Sequence, residues 1–358
     1  MAHFWRDKRV FITGHTGFKG SWLTLWLHMM GAKVSGYSLP APTNPSLFHL
    51  ARLHNCVQTT TGDVRDPRHL ADTMAAVQPD VVFHLAAQAL VRDSYQTPVD
   101  TYATNVMGTV HLLEAVRNTP SVRSVVVVTS DKCYENREWL WGYREDDPMG
   151  GHDPYSNSKG AAELVTSAYR RSFFASNPDN QTGIASVRAG NVIGGGDFAA
   201  DRLIPDFIRA LEKETPLRIR NPHSVRPWQF VLEPLSGYLQ IGQLLFEQGG
   251  KYAEAWNFGP AENDPQSVGQ LCKNFNHALQ QHEVKPAQVL LEPQADAPHE
   301  ATLLRLDISK ARQRLCWAPR TELQTALELT AQWYAGYLNN EDLRALSENQ
   351  IAFYQSLT

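Results

Sequence analysis

The sequence predicts an α/β fold: a doubly wound parallel sheet joined to a smaller C-terminal α/β unit. Two observations carry this. Short apolar runs alternate with helix-patterned stretches through the first half of the chain, the trace that successive βαβ units leave in a sequence. The run VVVV at 125–128 is apolar at every position, and strands buried on both faces suit the middle of a parallel sheet.

In chain order, RVFITG, AKVSGY, DVVFHLA and SVVVVTS read as strands. Between them GSWLTLWLHMMG, PRHLADTMAAVQ and VMGTVHLLEAVRN carry helical apolar spacing. PYSNSKGAAELVTSAYRRSFF then predicts a long helix and GIASVRAGNV a further strand. From about residue 190 the texture changes: GNVIGGGDF and RIRNPHSVRPWQF are rich in Gly, Pro, Arg and His, as loops lining a site are. TELQTALELTAQWYAGYL predicts an amphipathic helix with Leu323, Leu327 and Tyr334 on one face. We expect residues 1–187 to form the sheet domain, with about 226–254 returning to it, and 188–358 to form most of the smaller unit.

The 358 residues are 42% hydrophobic and 20% charged, with a formal net charge of −4. Scattered Lys and Arg give no nucleic-acid footprint, and no apolar stretch approaches the roughly 18 residues of a membrane span. A cytoplasmic location is the expectation. Cys56, Cys133, Cys272 and Cys316 form no CxxC pair, and the histidines show no ligand spacing, so neither disulfides nor a metal is expected.

The first strand runs into TGHTGFKG, which places Gly14, Gly17 and Gly20 between a strand and a helix. Glycines there permit a tight turn and a close approach of backbone to a pyrophosphate on the helix N-terminus, so the loop predicts a Rossmann-type dinucleotide site. The second strand ends in Tyr37-Ser38, with neither the acidic residue that would hold a ribose nor an Arg for a 2′-phosphate. NAD is therefore expected over NADP, and held weakly. Asp63 is either an acceptor for the adenine amino group or a helix N-cap.

Tyr155 and Lys159 stand four apart on the long helix and so share a face. A tyrosine has an ordinary pKa of about 10, and a nearby ammonium favours its phenolate. Such a pair can take a proton from a sugar hydroxyl. At the end of the valine strand Ser130, Asp131 and Lys132 stand side by side, where open α/β sheets bind their ligands.

With TGHTGFKG, GDV at 62–64, HLAAQ at 84–88, TNVMGT at 104–109, Tyr155 with Lys159, and RAGNV at 188–192, the chain resembles the extended short-chain dehydrogenase/reductase superfamily across nearly its whole length. Within it, the nucleotide-sugar 4,6-dehydratases are similar in having Thr/Ser-Asp-Glu upstream of the tyrosine. This chain departs by having Lys132 at the third place. SDKCYE together with RPWQFVLEPLSGYL at 226–239 looks like the CDP-glucose branch, whose product feeds 3,6-dideoxyhexoses into bacterial lipopolysaccharide.

The resemblance implies site residues. The glycine loop would hold NAD with Thr16 and Phe18 beside its three glycines. Ser38, Asp63 and Val64 would follow along the cofactor, then Leu85, Ala86, Ala87 and Asn105, with Tyr155 and Lys159 at the reacting end. Tyr155 would deprotonate the C4 hydroxyl, with Ser130 bonded to the C4 oxygen. Asp131, kept protonated by its surroundings, would be the acid at the C6 hydroxyl. Lys132 would be the base at C5. That role needs a neutral amine, lowered from about 10.4 by burial and by Lys159; otherwise Lys132 stabilises the enolate or pairs with Glu135. For CDP-glucose, Gln88, Asn191, Arg202 and Arg226 are the implied contacts. Asn257 and His299 are either contacts or loop caps. Relatives pair through the helix after Asn105 and the helix bearing Tyr155, so a homodimer or homotetramer is expected. The rival readings are another nucleotide-sugar dehydratase or epimerase on the same scaffold, and a dinucleotide sensor without catalysis. Asp131-Lys132 argues against a simple epimerase, and Tyr155 with Lys159 against a sensor.

Overall fold

The computed structural model describes residues 2–175, 182–219, 221–261, 266–292 and 303–357. After a short helix α1 (Ala2–Trp5), the first half runs β1 (Arg9–Thr13), α2 (Phe18–Met29), β2 (Lys33–Ser38), α3 (Leu47–Leu50), β3 (Gln58–Thr61), α4 (Pro67–Val77) and β4 (Val81–His84). It continues through α5 (Val91–Gln96), α6 (Pro98–Tyr102), α7 (Gly108–Arg117), β5 (Ser124–Val128), α8 (Pro154–Tyr169) and β6 (Gly183–Ala189). The second half holds β7 (Asn191–Ile193), α9 (Leu203–Glu212), β8 (Leu217–Ile219), β9 (Val225–Arg226), β10 (Trp228–Phe230), α10 (Leu232–Gln248) and β11 (Ala255–Phe258). It ends with β12 (Gln266–Ser267), α11 (Val268–Gln280), β13 (Val289–Leu291), α12 (Ser309–Leu315), α13 (Leu323–Leu338) and α14 (Leu343–Ser356).

Seven strands form one parallel sheet in the order β11-β6-β5-β4-β1-β2-β3. This is the doubly wound α/β arrangement that the βαβ alternation predicts. The direction of winding reverses between β1 and β4, which opens a crevice at their carboxyl ends. The valines of β5 explain their own burial: Val126 and Val128 face the core shared with α2 and α10, Val125 and Val127 the core shared with α4 and α7. Helix starts follow local chemistry. Asp66 accepts from the Arg68 and His69 amides at the start of α4, and Asp153 from the Ser156 amide at the start of α8, each followed by proline at the first helical position.

The GIASVRAGNV segment is two strands, not one. At Gly190 the chain leaves the large sheet, and β7 pairs with β10 instead. Smaller pairs β8–β13 and β9–β12 complete the second unit. α10 packs on β4, β5 and β6, β11 extends the large sheet, and α14 lies against α2 through Trp26 and Tyr354. α13 departs from the amphipathic expectation: Leu327 and Tyr334 are buried, but so are Trp333, Ala335 and Gly336, because α11 and α14 cover it from two sides. No helix among the described residues is long and apolar enough to cross a membrane.

Candidate active site

A cavity of about 1160 Å³ runs along the carboxyl edge of the sheet and into the second unit. That volume exceeds what one small ligand needs and suits two. The glycine loop forms one wall. Gly14 has φ +75°, and a Cβ there would lie 2.6 Å from the Ala86 amide nitrogen; at Gly20 it would lie 2.1 Å from the Gly14 carbonyl oxygen. Both glycines are required by the chain's own packing. At Gly17 a Cβ would come no nearer than 3.4 Å to any protein atom, so that glycine keeps open a space facing the cavity. No side chain caps the first turn of α2 there, and its free amides are the donors an anionic pyrophosphate would use. The residues fit a dinucleotide.

Farther along this wall, Thr16 Oγ1 and Ser38 Oγ lie 2.6 Å apart, and both reach the Leu39 carbonyl. Val64, Leu85, Ala86 and Ala87 line the cavity, with Phe18 between the glycines. Asp63 is not a helix cap, since Asp66 takes that role; its carboxylate bonds the Arg65 amide and guanidinium, which hold it below the usual carboxylate range. Arg65 also lines the cavity, but Asp63 and Asp100 already neutralise it. Asn105 is a correction. It is buried behind the 84–88 loop, where Oδ1 accepts from the Gln88 amide and Nδ2 donates to Gln88 O and Ser158 Oγ. It staples loop to helix and does not line the cavity.

Across the cavity β5 ends in Ser130, Asp131 and Lys132, all facing it, as do Tyr155 and Lys159 from α8. The Ser130 hydroxyl donates to Asp131 Oδ1 at 2.9 Å and is in hydrogen-bond contact with Tyr155. Burial pushes the Tyr155 phenol up to about 12, against the Ser130 bond and the Arg202 cation, which favour the phenolate. Burial also brings the Lys159 amine down to about 8, against the pull of Glu163, and its Nζ donates to Val128 O at 3.3 Å. Lys132 is half-buried at the cavity wall, and among the described residues no ion pair joins it to Glu135.

A buried pair supports this face from behind. Glu163, one turn beyond Lys159, accepts from Arg188, Ser186 and Thr129. Arg188 in turn donates to Tyr134 Oη and Glu145 O. Asn257 belongs to this network and is the second correction: it is fully buried, bonding Tyr134 Oη, Tyr143 O, Asp307 O and, through its amide, Glu145. Neither a loop cap nor a ligand contact describes it.

At the far end Asn191 and Arg226 line the cavity, and Arg202 does so while paired with Asp197 at 2.9 Å. Gln88 lines it too, with its side-chain amide turned onto the Leu90 backbone. His299 lies outside the described residues. Lys19 was missed by sequence reasoning. It lines the cavity, and burial with the Arg202 charge lowers its amine to about 8. Its place in TGHTGFKG was readable, but which way it faces depends on the fold. Among the described residues no cluster of three or more His, Cys, Asp or Glu could hold a metal ion.

Tyr155 and Lys159 share a helical face, and the glycine loop lies across the cavity from them because β1 and β5 end at the same edge. That layout is the one of extended short-chain dehydrogenase/reductases. Within them the chain belongs to the family described as GDP-mannose 4,6 dehydratase, matched over residues 11–330. It is 53% identical to a CDP-glucose 4,6-dehydratase of Salmonella typhimurium, over 99% of this chain and 98% of that one. It is 26% identical to a dTDP-glucose 4,6-dehydratase of Xanthomonas campestris pv. campestris, over 90% and 92%. Among solved structures, a UDP-glucose-4-epimerase from Stenotrophomonas maltophila with bound NAD superposes with a TM-score of 0.80 at 20% identity, covering 93% of this chain and 100% of that one. A dTDP-glucose 4,6-dehydratase from Bacillus anthracis in complex with NAD gives 0.74 at 20%, covering 94% and 99%. At those identities the two structures speak for the fold.

Proposed function

We propose that this protein is an NAD-dependent hydro-lyase that converts CDP-D-glucose to CDP-4-keto-6-deoxy-D-glucose and water. The observation that carries the reading is the meeting of Ser130, Asp131 and Lys132 with Tyr155 on one cavity, in a chain 53% identical to a CDP-glucose 4,6-dehydratase over nearly its full length. Bound NAD supplies a hydride acceptor for C4 that later serves as the donor to C6. The chain supplies the proton chemistry. Tyr155 takes the C4 hydroxyl proton while Ser130 bonds the same oxygen, which leaves a ketone that acidifies C5–H. Lys132 takes the C5 proton and Asp131 gives one to the C6 oxygen, so that water departs. Arg226, Arg202 and Asn191 hold the diphosphate, a task suited to the paired donors of a guanidinium.

The product of this reaction is a precursor class for 3,6-dideoxyhexoses of O-antigen. A cytoplasmic location goes with it, supported by four free cysteines. The chain pairs through α7 and α8, a reading supported by apolar side chains left exposed on and beside them, Leu164 at 62% and Val99 at 80% among them; sedimentation tests it. The reaction is tested by incubating the protein with NAD and CDP-glucose, dTDP-glucose, UDP-glucose or GDP-mannose while following the 4-keto-6-deoxy product. CDP-glucose should be the preferred substrate. Turnover of none overturns the dehydratase reading, and preference for another nucleotide overturns the CDP assignment.

A further inference from the structure

The valine run of β5 gives way at Thr129, one residue before the charged turn. Valine has the shape of threonine, so packing alone does not call for the change; the hydroxyl has to be accounted for. Thr129 is buried, and its hydroxyl donates to Glu163 Oε1. Val187 O stands 3.3 Å from the same hydroxyl but already accepts the Thr129 amide at 2.9 Å, so the single hydroxyl proton goes to the carboxylate. The two oxygens of Glu163 are served from different sides. Oε2 accepts from Ser186 at 2.6 Å and from Arg188 at 2.9 Å, both on β6, whereas among the described residues Thr129 is the one donor to Oε1.

This bond joins the two elements that carry the reaction face. Glu163 stands one turn beyond Lys159 on α8, the helix that also bears Tyr155. Thr129 lies between two residues with contacts of their own. On one side the Val128 carbonyl accepts from Lys159 Nζ at 3.3 Å. On the other, the Ser130 hydroxyl donates to Asp131 Oδ1 at 2.9 Å and accepts from the Lys132 amide at 3.3 Å. A shift of the chain at 129 therefore moves both the acceptor that holds Lys159 and the hydroxyl that opens the Ser130-Asp131-Lys132 turn. Arg188 and Ser186 fasten the carboxylate to β6 and cannot replace that tie. Thr129 borders the cavity, but with its hydroxyl spent on Glu163 it acts through its neighbours.

Resting on the dehydratase reading, we infer that Thr129 is a positioning residue, its hydroxyl bond to Glu163 fixing the end of β5 against α8 and so setting Ser130 and Lys159 in register with Tyr155. No proton changes hands in this role. A donor that merely satisfied a buried carboxylate would affect stability alone.

The test is a series at position 129 graded by donor strength: serine keeps the hydroxyl, cysteine offers a weak donor and valine none. Rates are read well below each variant's melting midpoint, so that only folded protein reports. Thr129→Val should lower kcat by about tenfold to a hundredfold, the cost of a small misplacement, with KM for CDP-glucose unchanged. The Ser130 bond favours the Tyr155 phenolate, and a displaced Ser130 gives less of that help, so the rise of kcat with pH should move to higher pH. Thr129→Ser should restore rate and profile, and Thr129→Cys should fall between. A wild-type rate and profile in Thr129→Val, or in Thr129→Cys if the valine variant does not fold, overturns the inference, as does equal impairment of the serine and valine variants. If the wild type itself dehydrates no nucleotide sugar, it is the dehydratase reading that fails, and this inference with it.

Discussion

Alanine at Gly17 and at Gly20 separates two reasons for having glycine in the loop after β1. At Gly20 the new Cβ would lie 2.1 Å from the Gly14 carbonyl oxygen and 2.8 Å from the His15 Cα, backbone atoms that move only if the loop rebuilds. Overpacking of this kind costs about 1–3 kcal/mol, so Gly20→Ala should melt several degrees below the wild type in the absence of cofactor. At Gly17 the nearest atom would be 3.4 Å away, an ordinary contact, in unstrained backbone at φ −78°. Gly17→Ala should therefore melt only slightly below the wild type, losing about 0.5–1 kcal/mol, the gap between alanine and glycine at a helix start. Its methyl group nevertheless occupies the space kept open for a pyrophosphate, and a tenfold loss of NAD affinity, about 1.4 kcal/mol, is expected. Thermal melts titrated with NAD measure both effects. At a concentration 100 times the wild-type Kd, the cofactor should stabilise the wild type by about 2.7 kcal/mol and Gly17→Ala by about 1.4 kcal/mol. Equal stabilisation of the two, or a ligand-free loss in Gly17→Ala as large as in Gly20→Ala, would refute the reasoning.

Lys132→Met should still bind NAD, measured by calorimetry, but lose wash-in of solvent deuterium at C5; unchanged exchange removes Lys132 from the base role. Glu163→Gln leaves Arg188 as an uncompensated charge in the core, which costs about 3–5 kcal/mol and should lower Tm by roughly 10 °C; a shift of only a degree or two would mean that the pair is not the anchor it looks to be. His15 and His84 are held well below the ordinary histidine value, to about 4 and about 3, by burial, with the Lys159 charge adding to it at His84. Stability that is present above about pH 6.5 should therefore fall as the pH drops toward 4 and 3, because only the unfolded chain takes up these protons in that window, at roughly 1 kcal/mol per pH unit for each histidine. Urea midpoints at pH 7, 6 and 5 check the slope, and a flat series contradicts it.

The large sheet was readable because its evidence is local. A run such as SVVVV, a glycine triplet after RVFIT, and tyrosine and lysine one turn apart each specify geometry within a few residues. The misreadings fall where partners distant in sequence decide. Asn105 and Asn257 carry ordinary motif contexts, yet each completes hydrogen bonds with segments far along the chain, the Gln88 carbonyl and the Ser158 hydroxyl for one and the Tyr143 and Asp307 carbonyls for the other. Lys19 inverts this case: its motif was in view, but a side chain's facing depends on the walls around it. The turn at Gly190 that ends β6 became visible only with the carboxylate of Asp131 packed against it.

The outermost strands of the parallel sheet also bear on how copies of the chain can associate. An open sheet invites strand addition wherever a long edge presents unpaired amides and carbonyls. On one side β3 is four residues long and polar throughout, QTTT. On the other, side chains already occupy the outward groups of β11: Glu145 accepts from the Asn257 amide at 2.9 Å and Lys310 donates to the Ala255 carbonyl at 2.9 Å. Both rims are therefore poor templates for edge-to-edge growth into an extending ribbon.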